Sequence, residues 1–273
     1  MNWHGVARYL LCREIAEAGY KVALTGEGGD ELFAGYVQFR QDLIFDRSIP
    51  IPVDLAPVQS RLGFVPAWFK KLAINRSIFH VLLNREFSAM FSGRNPYCEF
   101  LSQFDIEGRL KGRHRMHQSM YLWIRSILPN YTLYAERLEM AHAVEARVPL
   151  LDHFLFESVC SVPAPALVRD GQEKYLLRAA ARPVLTDTVF RRAKHPFFAP
   201  PAGSGSNPLQ TLVQDTLRGN ALRSIPFFDP DMIVTLLDRF PTLDESTRTT
   251  LDSTFLMALS AAVLQDKYRI GST

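Results

Sequence analysis

Apolar side chains recur at helical spacing over most of the chain, and the one clear strand signal is short. Between Val6 and Ala18 apolar residues fall on one face and Gly19 follows, which predicts a helix that ends there. A strand is predicted at about 21–25, followed by a glycine turn and a second helical pattern. This order is the second half of a βαβ unit. We therefore expect upstream sequence to supply the first strand, and one or two short parallel strands in the chain itself.

Further helices are predicted wherever apolar residues repeat every three or four positions. These segments are 117–128, 131–144, 173–181 and about 246–268. Pro129 and Pro183 are expected to end the first and the third of them. Prolines within 49–69 predict irregular structure, and residues 196–208, with four prolines, predict a mobile loop. The chain as a whole is expected to be mostly helical.

Composition fits a globular protein of one large or two small domains: 273 residues, 47% hydrophobic, 22% charged and a net charge of +3. This small charge gives no reason to expect nucleic acid as a partner. The local basic run Arg109–Arg115 is interpreted as a solvated face, because no aromatic residues interleave with it. Three distant cysteines without a C-x-x-C pair predict reduced thiols and a cytoplasmic location. No apolar stretch approaches the ~18 residues of a membrane helix, so a membrane is not an expected partner.

The acidic glycine turn is the most informative segment. Leu24–Tyr36 runs from the end of the predicted strand through three glycines to Asp30 and Glu31. Carboxylates at that point lie outside the carboxyl end of a strand, where open α/β sheets bind ligands. They are hard oxygen ligands, suited to Mg²⁺ held between protein and phosphate. The alternative is an ordinary helix start, where acidic residues complement the helix dipole.

A second segment, Glu139–Asp152, carries charges among small apolar residues. Glu145 and Arg147 lie there, and Asp152 follows a run that is expected to be buried. Charges in such surroundings need partners. The structural alternative to a catalytic role is an ion pair of Glu145 or Asp152 with Arg147.

Two basic segments complete the set. In Glu173–Arg178, Lys174 and Arg178 are one turn apart on a helix, where they could grip an anion or form an ordinary amphipathic surface. In Arg191–Pro201, Lys194 precedes an apolar loop and is well placed to meet developing negative charge when the loop closes. The alternative is that the basic residues at the start of this loop meet no substrate.

The order of these segments resembles the synthetase domain of the asparagine synthetase family. Four motifs carry the resemblance and span about two-thirds of the chain: Leu24–Tyr36, Glu136–Asp152, Glu173–Arg178 and Arg191–Pro201. The resemblance implies an α/β, mostly helical fold, part of an adenine-nucleotide α-hydrolase-like (PP-loop ATP pyrophosphatase) domain that lacks its first strands. Residues 1–273 would be the carboxy-terminal part of that synthetase domain. β-Lactam synthetases and amide-forming enzymes of natural-product pathways share the pattern, so aspartate is not singled out as substrate.

The resemblance implies an ATP-dependent carbon–nitrogen ligase of the asparagine synthase (glutamine-hydrolysing) type. A substrate carboxylate, such as aspartate or an analogue, would attack the α-phosphorus of Mg·ATP, and ammonia would then attack the acyl-adenylate. Asp30 matches the Mg²⁺ ligand, and Gly28 and Gly29 match the turn beside it. Lys174 matches a basic residue of the helix that precedes Arg191–Pro201, and it is expected to take part in cofactor binding.

Two further residues match groups that act in the chemistry. Glu145 matches the glutamate thought to act as base toward the incoming nitrogen. Lys194 matches the lysine that stabilises charge on the phosphates and on the tetrahedral intermediate. A divalent ion and a lysine are what a site that gathers negative charge requires.

The departures from the family pattern concern what lies upstream. The Ser-Gly-Gly-x-Asp nucleotide loop is missing, and residue two is Asn2 rather than the cysteine of a glutaminase domain. The chain is therefore expected to be a fragment or split subunit, inactive alone, that needs an upstream nucleotide-binding and glutaminase part. The alternatives are a pathway enzyme that amidates or cyclises another carboxylate, and a non-catalytic scaffold.

Overall fold

The computed structural model describes residues 3–44, 51–193 and 208–270. Its elements up to residue 140 are α1 (Trp3–Glu17), β1 (Val22–Leu24), α2 (Gly29–Leu32), α3 (Val37–Ile44), α4 (Ala56–Leu62), α5 (Ala67–His80), α6 (Arg85–Met90), α7 (Pro96–Leu101), α8 (Ile106–Arg109) and α9 (Arg115–Met140). The later elements are β2 (Glu145–Arg147), α10 (His153–Cys160), α11 (Ala164–Leu167), α12 (Tyr175–Ala181), α13 (Asp187–Arg191), α14 (Pro208–Arg218), α15 (Asn220–Arg223), α16 (Pro230–Arg239) and α17 (Glu245–Tyr268). Short 3-10 helices occupy Val53–Leu55, Pro149–Leu151, Arg182–Val184 and Phe240–Thr242.

The sheet consists of two short parallel strands in the described part of the chain. β1 pairs with β2 so that Val22 lies opposite Glu145 and Leu24 opposite Arg147. The predicted mostly helical α/β chain with a small parallel sheet is therefore confirmed. The finer assignment to the PP-loop fold stays a prediction.

The chain divides into two compact units. The larger lies within His4–Lys70 and Tyr97–Phe197, and the smaller within Met1–Trp3, Lys71–Pro96 and Phe198–Thr273. None of the helices in the described ranges is long and apolar enough to cross a membrane. The three cysteines are free thiols.

The core of the larger unit fixes α2 and α3 against α9. Phe39 on α3 is fully buried, and its ring centroid lies 6.0 Å from that of Trp123 on α9. Tyr36 also packs on Trp123, at 5.2 Å between ring centroids. Leu32, at the end of α2, is buried in the same cluster. This packing holds the acidic turn, which runs from the end of β1 through α2, in a defined position.

The smaller unit is built around the last long helix, which the sequence predicts at 246–268. α17 begins after Asp244, whose carboxylate accepts a hydrogen bond from the Thr247 N–H at 3.0 Å. Leu251, Phe255 and Leu259 recur on one face and are buried in the core of this unit. The apolar face of the predicted helix is therefore its packing face.

Pro129 does not end a helix, which corrects the prediction of two separate helices at 117–128 and 131–144. α9 continues through it to Met140. A proline removes one helical hydrogen bond, but buried residues on both sides of it, such as Leu128 and Ala135, hold the helix in the core. Here the Thr132 hydroxyl donates to the Leu128 carbonyl at 3.0 Å, and the Asn130 amide donates to the Ser126 carbonyl at 3.0 Å.

The prolines within 49–69 predict irregular structure, and that prediction is wrong for the described part. Pro57 lies in the first turn of α4, where its missing N–H has no intrahelical partner to lose. Pro66 comes directly before α5. The predicted helix at 173–181 begins later, at Tyr175. The predicted loop at 196–208 lies outside the described residues up to Pro208, which begins α14.

Candidate active site

The glycines of the acidic turn differ in how closely other residues pack against them. Gly28 has φ of +89°, a left-handed conformation, and a Cβ there would overlap the Leu151 side chain. A Cβ at Gly29 would lie 2.9 Å from the Leu150 side chain. Gly28 and Gly29, predicted to bind the nucleotide, are therefore buried packing positions against the 3-10 helix Pro149–Leu151. A Cβ at Gly26 would meet no described atom within 4 Å, so Gly26 is the glycine of this turn that leaves open space.

Asp30, the predicted metal ligand, forms an ion pair with Lys174. The Lys174 Nζ lies 3.0 Å from the Asp30 Oδ1, and the two side chains are 22% and 18% exposed. Lys174 has φ of +55° and precedes α12, so its side chain reaches back to the acidic turn. Gly35 makes room for the pair, because a Cβ there would overlap both side chains. The structure thus brings together two of the residues that the sequence predicts for the site.

Lys174 and Arg178 do not grip one anion together. The Arg178 guanidinium donates to the backbone carbonyls of Phe190 at 2.8 Å and Arg192 at 3.0 Å. It therefore fastens α12 to the segment after it. Lys174 alone of these two cations faces Asp30.

A second charged cluster, which sequence reasoning missed, is centred on Arg8 of α1. The Arg8 guanidinium donates to the Glu139 carboxylate, at 2.6 Å from Nε, and also contacts the carboxylate of Glu27 and the Tyr131 hydroxyl. Burial opposes the charge on Glu27, but hydrogen bonds from Thr25 and Arg8 outweigh it and hold the pKa of Glu27 below its ordinary value. Burial likewise opposes the charge on Arg8, and its two carboxylate partners raise its pKa nevertheless.

These groups line a cavity of about 570 Å³, here called the strand-end pocket, between α1, the end of β1 and α9. Its polar lining consists of His4, Arg8, Thr25, Glu27, Asp30, Glu31, Tyr36, Tyr131 and Glu139. Its apolar lining includes Leu11, Ile15, Leu24, Val144 and Ala146. The volume lies in the range of small-molecule sites, and the position, beyond the carboxyl end of a parallel strand, is where such sheets bind ligands.

Glu31 and Tyr36 form the inner wall of this pocket. The Tyr36 hydroxyl donates to the Glu31 carboxylate at 2.6 Å, and Glu31 is buried. Burial, followed by the charge of Glu31, raises the pKa of the Tyr36 hydroxyl. This pair is therefore a fixed part of the wall, and its phenol keeps its proton at neutral pH.

Glu145, the predicted base, is not part of the pocket lining. Side chains alternate along β2, so Val144 and Ala146 face the pocket while the Glu145 side chain is 59% exposed. The Arg147 Nε lies 2.9 Å from the Glu145 carboxylate. This is the ion pair expected as the structural alternative, but on the surface. Asp152 takes no part in it, because it caps α10 by accepting hydrogen bonds from Phe154 and Leu155.

Lys194, the predicted charge-stabilising lysine, lies outside the described ranges, one of which ends at Ala193 and the next of which begins at Pro208. Arg191 ends α13 on the approach to it. Its role stays a prediction.

A family model described as asparagine synthase matches residues 1–263. The chain belongs to the asparagine synthase family. The match includes every residue of the strand-end pocket.

Individual relatives agree with the family. The chain is 30% identical to amidase chyE of Penicillium rubens over 266 residues, which cover 83% of this chain and 39% of the relative. Amidase chry2 of Gibberella zeae is 26% identical, with the same coverage of 83% and 39%. Glutamine-hydrolysing asparagine synthetase 1 of Bacillus subtilis is 26% identical over 70% of this chain and 32% of the relative. The chain thus spans about two-fifths of the length of the first two relatives.

The fit of Mg²⁺ to this part of the family site can be judged from the donor groups. Asp30 offers a hard oxygen ligand on the pocket wall. Within the described ranges no cluster of three or more His, Cys, Asp or Glu is arranged to hold a metal. In phosphate-transfer sites Mg²⁺ is usually held by one or two carboxylates together with substrate phosphates. The residues therefore fit an ion shared with a nucleotide, not one enclosed by protein ligands alone.

Sequence reasoning found Asp30 and Lys174 and overlooked Arg8, Glu27, Gly35 and Glu139. Glu27 lies inside the acidic turn, so its signal was present in the motif. Arg8 and Glu139 are 131 residues apart, and no local pattern connects them.

Proposed function

We propose that this chain is the carboxy-terminal part of an ATP-dependent amide-forming ligase. A substrate carboxylate is activated by Mg·ATP as an acyl-adenylate, and ammonia then converts it to an amide such as asparagine. The observation that carries the proposal is the strand-end pocket, where Asp30 with Lys174 and Glu27 with Arg8 converge beyond the end of β1. The match to the asparagine synthase family over residues 1–263 supports it.

In the activation step, Asp30 would hold Mg²⁺ together with the phosphates of the nucleotide. When bound, the ion neutralises charge that gathers on the departing pyrophosphate. Lys174 keeps the Asp30 carboxylate in place, since the two lie 3.0 Å apart. Gly26 leaves open space on the same turn for a close approach of the nucleotide. Lys194 is proposed to stabilise negative charge on the phosphates and on the tetrahedral intermediate.

Two glutamates are candidates for the nitrogen step. Glu145 is the base expected from the family resemblance. Glu27 lines the pocket, and its lowered pKa keeps it ionised at neutral pH. An ionised carboxylate beside the reacting centre suits the positioning of an incoming ammonium or amine more than proton removal at neutral pH.

We further propose that an upstream segment or a separate subunit completes the site. The sequence contains no Ser-Gly-Gly-x-Asp loop of the kind the family uses for the nucleotide. β1 is the apolar segment Val22–Leu24 and pairs only with β2 among the described strands, so its other edge has no strand partner in the described part of the chain. An exposed apolar strand edge is suited to pairing with another strand. The chain alone is expected to be inactive, and a cytoplasmic location remains a prediction.

A second candidate is amidation or cyclisation of a carboxylate other than aspartate. Two relatives named amidases match 83% of the chain, whereas the named asparagine synthetase of Bacillus subtilis matches 70%. Because the named amidases match more of the chain than this asparagine synthetase does, aspartate is not assigned as the substrate. The family match alone does not select one acid.

Pyrophosphate exchange into ATP tests the proposal, since it reports adenylation without the nitrogen step. We expect exchange by the complete protein or assembly with one carboxylate of a panel that includes aspartate, and background exchange by the 273-residue chain alone. The Asp30→Asn variant should lower exchange, while Asp231→Asn, an exposed aspartate on α16, should not. Exchange by the purified chain alone would refute the fragment proposal. Exchange that is unchanged in Asp30→Asn would refute the proposed role of the strand-end pocket.

A further inference from the structure

A second cavity of the larger unit, here called the arginine-rimmed pocket, has no role in the proposed reaction. Its volume is about 280 Å³. Residues 117, 120, 121 and 124 of α9 and 156, 159 and 160 of α10 line it at helical spacing, so one face of each helix forms a wall. Leu32 at the end of α2 and Leu167 at the end of α11 close the floor.

The floor of this pocket is apolar. Leu32, Met120, Val159 and Leu167 are buried, and Ile124 lies beside them at intermediate exposure. Burial, followed by the charges of His114 and Arg113, lowers the pKa of His117 on the wall. With a neutral imidazole on the wall and apolar side chains on the floor, the inner part of this pocket carries no charge and is suited to an apolar group of a ligand.

The rim is positively charged and has no acidic partner among the described residues. Arg109, Arg113 and Arg125 line the mouth, and none of them forms an ion pair with a described residue. The Arg113 Nε donates to the Arg109 carbonyl at 2.6 Å, which fixes that guanidinium at the rim. Glu157 on α10 is exposed and does not line the cavity. Like charges held together beside an apolar cavity attract an anion, because guanidinium groups match carboxylate and phosphate geometry.

We propose that the arginine-rimmed pocket binds a small amphipathic anion, with a carboxylate or phosphate head on the arginines and a short apolar tail on the floor. This gives a function to Arg109 and Arg113 of the basic run Arg109–Arg115, which the sequence alone left as a solvated face. The proposal does not depend on the ligase reaction. The cavity is just below the usual size of drug-sized sites, which favours a tail of modest length.

Calorimetric titration of the full chain with four probes tests the proposal and its head group. Octanoate and octyl phosphate carry both features, octanamide lacks the charge, and inorganic phosphate lacks the tail. We expect saturable binding of octanoate, octyl phosphate or both, and binding at least tenfold weaker for the other two probes. A preference between the first two identifies the head group. Absence of binding by both, or equal binding of octanamide, would overturn the proposal.

Variants locate the binding. Arg113→Gln and Arg125→Gln should each weaken the binding of the charged probe about tenfold, as the loss of a charge-assisted hydrogen bond does. Arg239→Gln, an exposed arginine on α16, is the matched control and should leave binding unchanged. Thermal melting of each variant confirms that it is folded. If Arg113→Gln and Arg125→Gln bind the charged probe as tightly as Arg239→Gln and the parent chain do, the ligand lies elsewhere and the proposal is overturned.

Cys160 supplies an independent readout that needs no variant. Its thiol lines the pocket, whereas Cys98 does not. Saturating octanoate or octyl phosphate should slow iodoacetamide alkylation of Cys160 several-fold and leave Cys98 unaffected, as peptide mass spectrometry would show. Equal rates at Cys160 with and without the probe would contradict the assigned location. Binding of a single-stranded oligonucleotide, without binding of either amphiphile, would reassign the basic rim to nucleic acid and refute the proposal.

Discussion

The strand-end pocket and the arginine-rimmed pocket share α2 as part of their walls and treat charge in opposite ways. In the first, Arg8 meets the carboxylates of Glu27 and Glu139, and Lys174 meets Asp30. In the second, three arginines line the mouth and no carboxylate of the described residues does. Opposite charges in contact hold each other in place before any ligand arrives, although the carboxylates of the strand-end pocket outnumber its cations. Unbalanced charges of one sign leave a field that a ligand of the opposite sign can neutralise.

This contrast predicts different costs for removing an arginine. Arg8→Met should destabilise the fold by about 3 kcal/mol, because it leaves two poorly exposed carboxylates without their cation. Arg147→Met, which breaks the exposed pair with Glu145, should cost at most about 1 kcal/mol. Urea unfolding of both variants measures the difference.

The double variant Arg8→Met/Glu139→Gln is the control for the Arg8 result. It removes one of the two unpaired charges and should recover part of the lost stability. Equal, small losses for Arg8→Met and Arg147→Met would show that the Arg8 cluster is as solvated as the surface pair, and the contrast between the two pockets would lose its basis.

A second prediction concerns Lys194, which is proposed to stabilise negative charge in the same reaction. In the complete, active assembly, Lys194→Ala should lower kcat about 10²-fold with a smaller change in KM for ATP, since the charge is needed mainly in the transition state. Lys267→Ala, at an exposed position of α17, is the control. A higher KM with an unchanged kcat would assign Lys194 to ground-state binding.

How far the sequence predicts this molecule depends on the range of the interaction. α17 and β1 were predictable because local apolar periodicity and turn residues define them. The continuation of α9 through Pro129 was not, because tertiary packing of buried residues on both sides of the proline, such as Leu128 and Ala135, holds the helix. Asp30 and Lys174 could be found from motifs. The Arg8–Glu139 contact joins residues 131 positions apart, which only the fold brings together.

Outside both pockets, the fold of the larger unit buries an acid, Asp42 of α3. Asp42 is 2% exposed, and its carboxylate accepts a hydrogen bond from the Ala67 N–H at 2.8 Å. Burial raises its pKa to about 7, against the opposing hydrogen bonds of Ser119 and Ala67. The folded state therefore holds this proton more tightly than the unfolded chain does.

Because the pKa of Asp42 is higher in the folded state than in the unfolded chain, proton binding by Asp42 adds to the free energy of unfolding. This contribution is complete at pH values below the unfolded-state pKa, and it is lost as the pH rises through about 7. Between pH 5.5 and 8 the loss from Asp42 should be about 2 kcal/mol. Asp42→Asn should remove this fall, as urea unfolding across that pH range would show. A slope identical in the variant and the parent chain would assign the pH dependence to other groups.

The smallest expected effect separates the two glutamates and bears most directly on what the strand-end pocket does. Glu27 lies in the pocket beside Arg8, whereas the Glu145 side chain is 59% exposed and paired with Arg147. We expect Glu27→Gln to slow nitrogen attack about tenfold while pyrophosphate exchange continues, because the two half-reactions need different groups. Glu145→Gln should change both rates by less than about threefold and lower stability by under about 1 kcal/mol, as the loss of an exposed pair does. Isotope exchange and amide formation are measured on the same samples as melting, so that a folding defect is not mistaken for a catalytic one. The reverse order, with amide formation lost only in Glu145→Gln, would restore Glu145 as the base. It would also imply that β2 presents that side chain to the substrate in the complete assembly.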